Sequence, residues 1–237
     1  MVGSMECPLL PDEVMSSTIQ YLLIGGYAAA HAATAIRKHD AEGSIVLLTA
    51  EDHLPYERPP LSKDLLFEED FKPEETLAKP QSFYDEQKIT VRTGAWVKSI
   101  DRAAKTVALE NGENLTYENL LLAPGAGVRE PKFEGSDYGN VFYLRKLEDS
   151  QKIRGAINRG GPAVVIGGSY LGLEIASGCL KKGLDVTVID SHSGPWSKFA
   201  SPQLQNWRYD HSLRFRSGGH WFEAEFGAGQ RERPRSR

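Results

Sequence analysis

The sequence predicts an α/β fold: two strand–helix–strand units, a small antiparallel insertion between them, and a second unit left incomplete. Three observations carry this expectation. "YLLIGGYAAAHAA", starting at Tyr21, runs from an apolar segment through two glycines into an alanine-rich segment. The same design returns as "VVIGGSYLGLEIAS", and the two align without a gap, with Gly25 over Gly167, Gly26 over Gly168, Tyr27 over Ser169 and Ala30 over Gly172. Between them lie short apolar runs broken by turn residues, Asn111-Gly112 among them.

The elements follow in order. Residues 19–24 form an apolar strand and 28–39 an alanine-rich helix; 40–44 turn the chain, and 45–48 form a second strand. Strands this apolar imply a parallel sheet covered on both faces. "LPYERPPLSK", residues 54–63, starts irregular because each proline pushes its predecessor toward extended geometry. Short helices are expected at 61–67 and 81–88, strands at 89–92, 95–101 and 105–109, and one more strand in "ENLLLAPGAG". A helix over 147–158 leads into the second unit, "PAVVIGGSYLGLEIASGCLKKGLDVTVID", residues 162–190. The division expected is an extension over 1–18, a first nucleotide domain over 19–150, an incomplete second one over 151–194 and an irregular, non-native tail over 195–237.

The 237 residues suffice for one large domain or one and a half smaller ones, with 40% hydrophobic and 25% charged residues. A net charge of -4 argues against a nucleic-acid partner or a basic membrane surface. Cys7 and Cys179 form no CxxC pair, which argues against a disulfide framework, a dithiol redox centre and a metal site. The N-terminal segment lacks the charged and apolar regions of a secretory signal, no run is long enough to span a bilayer, and a cytoplasmic, reducing compartment is the default. Met15 is an alternative start.

The repeated unit has a chemical reading. In the second copy Gly167 permits a tight turn out of the strand, and Gly168 and Ser169 are small enough for a pyrophosphate to approach. Tyr170 and Leu171 open the helix, whose free N–H groups and positive dipole end favour phosphate, and Gly172 lets that helix pack on the strand. Asp190, about twenty residues on, closes the next strand where a carboxylate can accept from a ribose 2′-OH; it would repel a 2′-phosphate, so NADH is favoured over NADPH. A plain buried strand–helix–strand unit is the blander alternative, and it has no need of these glycines or this acid. In the first copy Gly25, Gly26, Ala28, Ala30 and Glu51 stand at matching places, but Tyr27 occupies the phosphate-approach position. These are Rossmann-like units.

A dinucleotide unit, "PYERPPLSK", a strand ending "LLLAPGA", "YLR" and "GGSYLGLE" occur in the motif order of flavin-dependent pyridine nucleotide reductases. Over about residues 19–194 the chain resembles the pyridine nucleotide-disulfide oxidoreductase family, in the branch of ferredoxin and rubredoxin reductases, monodehydroascorbate reductase and apoptosis-inducing factor. The resemblance implies FAD on the first unit and NAD(P)H on the second. By position, Gly25, Gly26, Tyr27, Ala30 and Glu51 would face the FAD pyrophosphate and adenosine; Arg58 would pair with phosphate or ribose oxygens, and Pro59 would shape the loop. Val97 would meet adenine through its backbone, Ala123 and Gly125 would lie in a turn against the cofactor, and Arg145 would lie near the flavin. Lys63 and Glu174 would pair as the catalytic couple, the lysine stabilising negative charge on the reduced ring. Without the resemblance they read as a surface lysine and a helix-face carboxylate.

The implied activity passes electrons from NAD(P)H through FAD to a ferredoxin, a rubredoxin or a small radical such as monodehydroascorbate, with a homodimer compatible with a longer form. Missing CxxC chemistry argues against the disulfide-reducing branch. Tyr27 replaces a glycine, Pro124 replaces a threonine, and the family's later segments have no counterpart after Gly194. The expectation is therefore a shortened chain with an out-of-frame, read-through or spliced tail. Two further readings are a non-catalytic nucleotide-binding fragment and a binding module acting through the basic tail.

Overall fold

The computed structural model describes residues 18–191 and the strands Leu213–Ser217 and His220–Ala224. Within these, the chain forms two compact units. The first runs up to Arg58 and resumes over Lys72–Val128; the second takes Pro59–Phe71 and the residues from Arg129 onward. Residues 59–71 and 129–150 thus group with the second unit, not with the first as the sequence ranges had it.

In the first unit β1 (Ile19–Gly25), α1 (Tyr27–His39) and β2 (Ile45–Leu48) make the expected strand–helix–strand. β1 lies parallel to β2, with Leu22 beside Val46 and Leu23 beside Leu47. On its other side β1 lies parallel to β6 (Asn114–Ala123). β3 (Ile89–Arg92), β4 (Val97–Asp101) and β5 (Thr106–Leu109) complete a six-stranded sheet of order β3-β2-β1-β6-β5-β4, its β4-β5-β6 part antiparallel. Alternate residues feed two cores: Leu22, Val46 and Leu48 meet Val107, Leu115 and Tyr117 on one face, and Leu23, Ile45 and Leu47 meet Ala29, Ala30, Ala33 and Tyr84 on the other. Alanines on α1 allow the helix to approach closely, and Arg37, Lys38 and His39 in its last turn complement the dipole. The sheet is covered on both faces, as its apolar strands predict.

In the second unit β7 (Ala163–Ile166), α5 (Tyr170–Lys181) and β8 (Val186–Ile189) form the repeat, preceded by α4 (Leu147–Arg159). Leu66, Ile153, Ile157, Ala176, Cys179, Val186 and Val188 build its core. Cys179 is buried, and burial pushes its thiol up to about 11, so it is a packing residue. The segment 59–71 is anchored here: Ser150 Oγ donates to Leu61 O (2.8 Å), and Arg154 donates to Leu65 O (3.2 Å) and Glu69 O (3.0 Å).

Several boundaries shift for physical reasons. The helix expected at 61–67 divides into a 3-10 turn, Pro59–Ser62, and α2, Asp64–Phe67, because Lys63 between them leaves the helical region (φ -125°, ψ -110°). α3 spans only Gln81–Glu86, and Lys88 then takes a left-handed conformation (φ 49°). The expectation of an irregular tail is corrected at two places. β9 (Leu213–Ser217) lies parallel to β8, and β10 (His220–Ala224) returns antiparallel to it, giving the order β10-β9-β8-β7. In the sequence Gly218-Gly219 stands between them, a dipeptide that favours hairpins. The expectations for residues 1–17 and the rest of 192–237 lie outside the described residues.

Candidate functional site

At the first turn β1 ends on Gly25 (φ 149°), where a Cβ would stand 2.1 Å from the Ala123 carbonyl oxygen. Only glycine fits between the ends of β1 and β6. Gly26 caps α1, and a Cβ there would meet nothing within 4 Å, so the chain passes an open space. Ala28 is exposed and Ala30 is buried against the sheet, its N–H closing on Gly26 O (3.0 Å). The amides before Ala30 have no partner inside the helix. Tyr27 is the first helical residue and does not fill the turn. Its ring rests edge-on against His31 (4.5 Å between centroids), its hydroxyl donates to Glu57 Oε1 (3.2 Å), and it is 41% exposed. Burial, then the Glu57 charge, raise the Tyr27 phenol.

Glu51 and Arg58, both expected at the cofactor, meet each other. Arg58 Nη2 donates to Glu51 Oε1 at 2.5 Å, Tyr56 donates its hydroxyl to Glu51 Oε2, and Arg58 Nη1 donates to Tyr56 OH at 2.9 Å. The guanidinium also lies 4.9 Å from the Tyr56 ring centroid. Val97 opens β4 beside a register shift, Ala123 ends β6, and Gly125 follows in a left-handed conformation (φ 74°).

At the second turn Gly167 (φ 109°) leaves β7, its N–H donating to Ile189 O (2.8 Å). Ser169 caps α5, and Tyr170 and Leu171 begin it with 58% and 44% of their surfaces exposed. A Cβ on Gly172 would stand 1.9 Å from Gly167 O, so the helix can lie this close only on glycine. Asp190 Oδ2 accepts from the Gly168 N–H at 2.5 Å, which fixes the acid at the lip of the turn.

Lys63 and Glu174 pair as expected: Lys63 Nζ lies 2.8 Å from Glu174 Oε2. Lys63 caps α2, Pro59 opens the preceding 3-10 turn, and Glu174 stands on α5. Burial works against the Glu174 charge, but hydrogen bonds from Lys63 and Ser62 and the lysine's charge outweigh it, so its carboxyl is lowered. Arg145 lies ahead of α4, its backbone N–H donating to Asp149 Oδ2 (3.0 Å). Sequence reasoning missed Tyr56, Glu57 and Ser62, although all three lie within "PYERPPLSK". Their polarity beside the prolines of this stretch was the available signal.

Among the described residues no three His, Cys, Asp or Glu side chains are placed to hold a metal ion. No helix among them is long and apolar enough to cross a membrane. The sequence profile of the pyridine nucleotide-disulphide oxidoreductase family matches residues 20–215. The chain is 38% identical over 181 residues to a rubredoxin-NAD(+) reductase of Pseudomonas putida, covering 76% of this chain and 47% of that protein. It is 40% identical over 173 residues to the ferredoxin–NAD(+) reductase component of an anthranilate 1,2-dioxygenase system of Burkholderia cepacia, covering 72% and 42%. Among solved structures, a ferredoxin reductase of Rhodopseudomonas palustris superposes with a TM-score of 0.78 at 30% identity, covering 89% of this chain and 52% of that one. The chain spans about half the length of the curated relatives it matches.

Proposed function

Because the chain belongs to the pyridine nucleotide-disulphide oxidoreductase family, we propose that it carries the nucleotide-binding machinery of an enzyme passing electrons from NADH through FAD to an acceptor. The observation that carries this reading is the pair of glycine turns, each with a helix N-terminus and each followed by an acid, together with the Lys63–Glu174 couple. Both turns fit a dinucleotide. Where a Cβ at Gly25 would strike Ala123 O and one at Gly172 would strike Gly167 O, the backbone is packed as closely as glycine allows. The space beside Gly26 is open.

In this reading Gly26, Tyr27 and Ala28 offer backbone N–H groups to the FAD pyrophosphate, while Glu51, held by Arg58 and Tyr56, faces the adenosine ribose. Val97, Ala123, Gly125 and Arg145 are proposed contacts of the same cofactor. Gly168, Ser169, Tyr170 and Leu171 serve the NADH pyrophosphate, and Asp190, oriented by the Gly168 N–H, accepts from the ribose 2′-OH and disfavours NADPH. FAD, when bound, supplies hydride acceptance from NADH and onward transfer of electrons. Lys63, whose ammonium Glu174 keeps in place, would supply the positive charge that stabilises the reduced flavin. The acceptor is an electron-carrier protein of the ferredoxin or rubredoxin kind, or a small radical.

One feature favours a second reading, a nucleotide-binding fragment without catalysis: Tyr27 takes the position that the smaller Ser169 holds in the second turn. Purified protein, supplied with FAD and then NADH, separates the two. The enzyme reading predicts a yellow protein that NADH bleaches and that reduces ferricyanide. A protein that takes up no FAD contradicts it.

A further inference from the structure

Ser62 closes the 3-10 turn Pro59–Ser62 and is 4% exposed. Its Oγ lies 2.8 Å from Glu174 Oε2 and 3.3 Å from Pro59 O. One hydroxyl proton serves one acceptor at a time, and the nearer, charged oxygen takes it. The same Glu174 Oε2 receives Lys63 Nζ at 2.8 Å, so two donors from adjacent residues converge on one oxygen.

The Lys63–Glu174 couple on its own is poorly defined. Its side chains are 48% and 35% exposed, and ordering two long exposed chains offsets most of the attraction between them. Ser62 adds what the couple lacks, a short buried donor with almost no rotamer entropy to lose. Its backbone is fixed in turn. Ser150 on α4 is fully buried and donates to the carbonyl of Leu61, while the Lys63 N–H closes on Pro60 O (3.0 Å). A rigid chain of contacts therefore runs from α4 through Leu61 and Ser62 to Glu174 on α5.

We propose that Ser62 is a positioning residue for the Lys63–Glu174 couple: its hydroxyl holds the Glu174 carboxylate from the buried side, so that Lys63 meets an acceptor already oriented. The functional consequence rests on the reading that this couple serves the flavin; the positioning itself is readable without any cofactor.

The test compares wild type with Ser62→Ala, Ser62→Cys, Ser62→Thr and, as the limiting reference, Glu174→Gln. In the chain without added cofactor, the rate at which an amine reagent modifies Lys63 is measured by peptide mass spectrometry, with Lys72 and Lys79 as internal references. Lys63 labels faster in Ser62→Ala, approaching Glu174→Gln, and Ser62→Thr returns it to the wild-type rate. Ser62→Cys, of similar shape but a weak donor, falls between and carries the test should the alanine variant fail to fold. A wild-type labelling rate in folded Ser62→Ala or Ser62→Cys overturns the proposal. In a second arm, the FAD-loaded alanine variant is reduced by NADH on the order of tenfold more slowly, the size of one charge-assisted hydrogen bond, with NADH affinity unchanged. Failure of the wild type to take up FAD counts against the oxidoreductase reading alone, because the labelling arm reads Ser62 independently.

Discussion

Leu22 and Val164 occupy the same step of the two strands that enter the glycine turns, yet Leu22 is fully buried and Val164 is 61% exposed. The contrast extends beyond this pair of residues. β2 is buried at all four positions, whereas β7 alternates, with Ile166 62% exposed and its neighbour Ile189 on β8 37% exposed. The first sheet carries apolar cores on both faces; the second packs Val165, Val186 and Val188 on one face and leaves Val164, Ile166 and Ile189 bare among the described residues. A repeated local sequence therefore fixes the path of strand, turn and helix, while the number of covering layers depends on the rest of each unit.

The turns differ in their acids as well. Asp190 is bonded to the amide of its own turn, whereas Glu51 is drawn into the Tyr56 and Arg58 cluster. The largest effects test what both turns share. Gly25→Ala and Gly172→Ala each force a Cβ against a carbonyl oxygen at 2.1 and 1.9 Å and should cost about 4 kcal/mol in denaturant unfolding. Next comes the burial contrast: Leu22→Ala should cost about 3 kcal/mol, and Val164→Ala should stay within about 0.5 kcal/mol. Equal costs would erase the distinction between the two sheets.

Smaller effects sharpen the ligand side. Tyr27→Gly should tighten FAD binding on the order of tenfold in equilibrium dialysis if the tyrosine crowds the pyrophosphate; unchanged or weaker binding rejects that register. Asp190→Asn keeps an acceptor for the Gly168 amide but removes the charge, so the NADH-over-NADPH preference should narrow by roughly tenfold. Last is acid sensitivity. The Arg92 hydrogen bonds lower the Glu113 carboxyl, against burial, and Lys63 and Ser62 do the same for Glu174. Both folded values lie below the ordinary 4.5, so each pair stabilises fully above that pH and loses its contribution as pH falls through the folded value. Arg92 and Glu113 are the more buried pair, with side chains 6% and 15% exposed. Glu113→Gln should therefore flatten the acid limb of a stability–pH curve more than Glu174→Gln.

The fold was largely legible because its signals are local. Apolar runs ending in glycine pairs announced β1 and β7, and the ungapped repeat placed both helices. What escaped depends on contacts across the chain. Leu66 and Phe67 draw residues 59–71 into the second unit, a grouping invisible in a linear division. The hairpin of β9 and β10 sat in a stretch whose arginines and glycines masked two short strands flanking Gly218-Gly219. At the site, the pairing of Lys63 with Glu174 followed from the motif order, but the capture of Glu51 by Tyr56 and Arg58 and the contact of Tyr27 with Glu57 depend on side-chain reach, which spacing does not encode.

Amide hydrogen exchange on one protein sample, with FAD and NADH added separately, tests the division of labour between the turns. The account predicts that FAD protects the amides of residues 26–30 and NADH those of residues 168–172, each leaving the other turn unchanged. Protection of both turns by a single nucleotide, or no protection of residues 26–30 at saturating FAD, would contradict it.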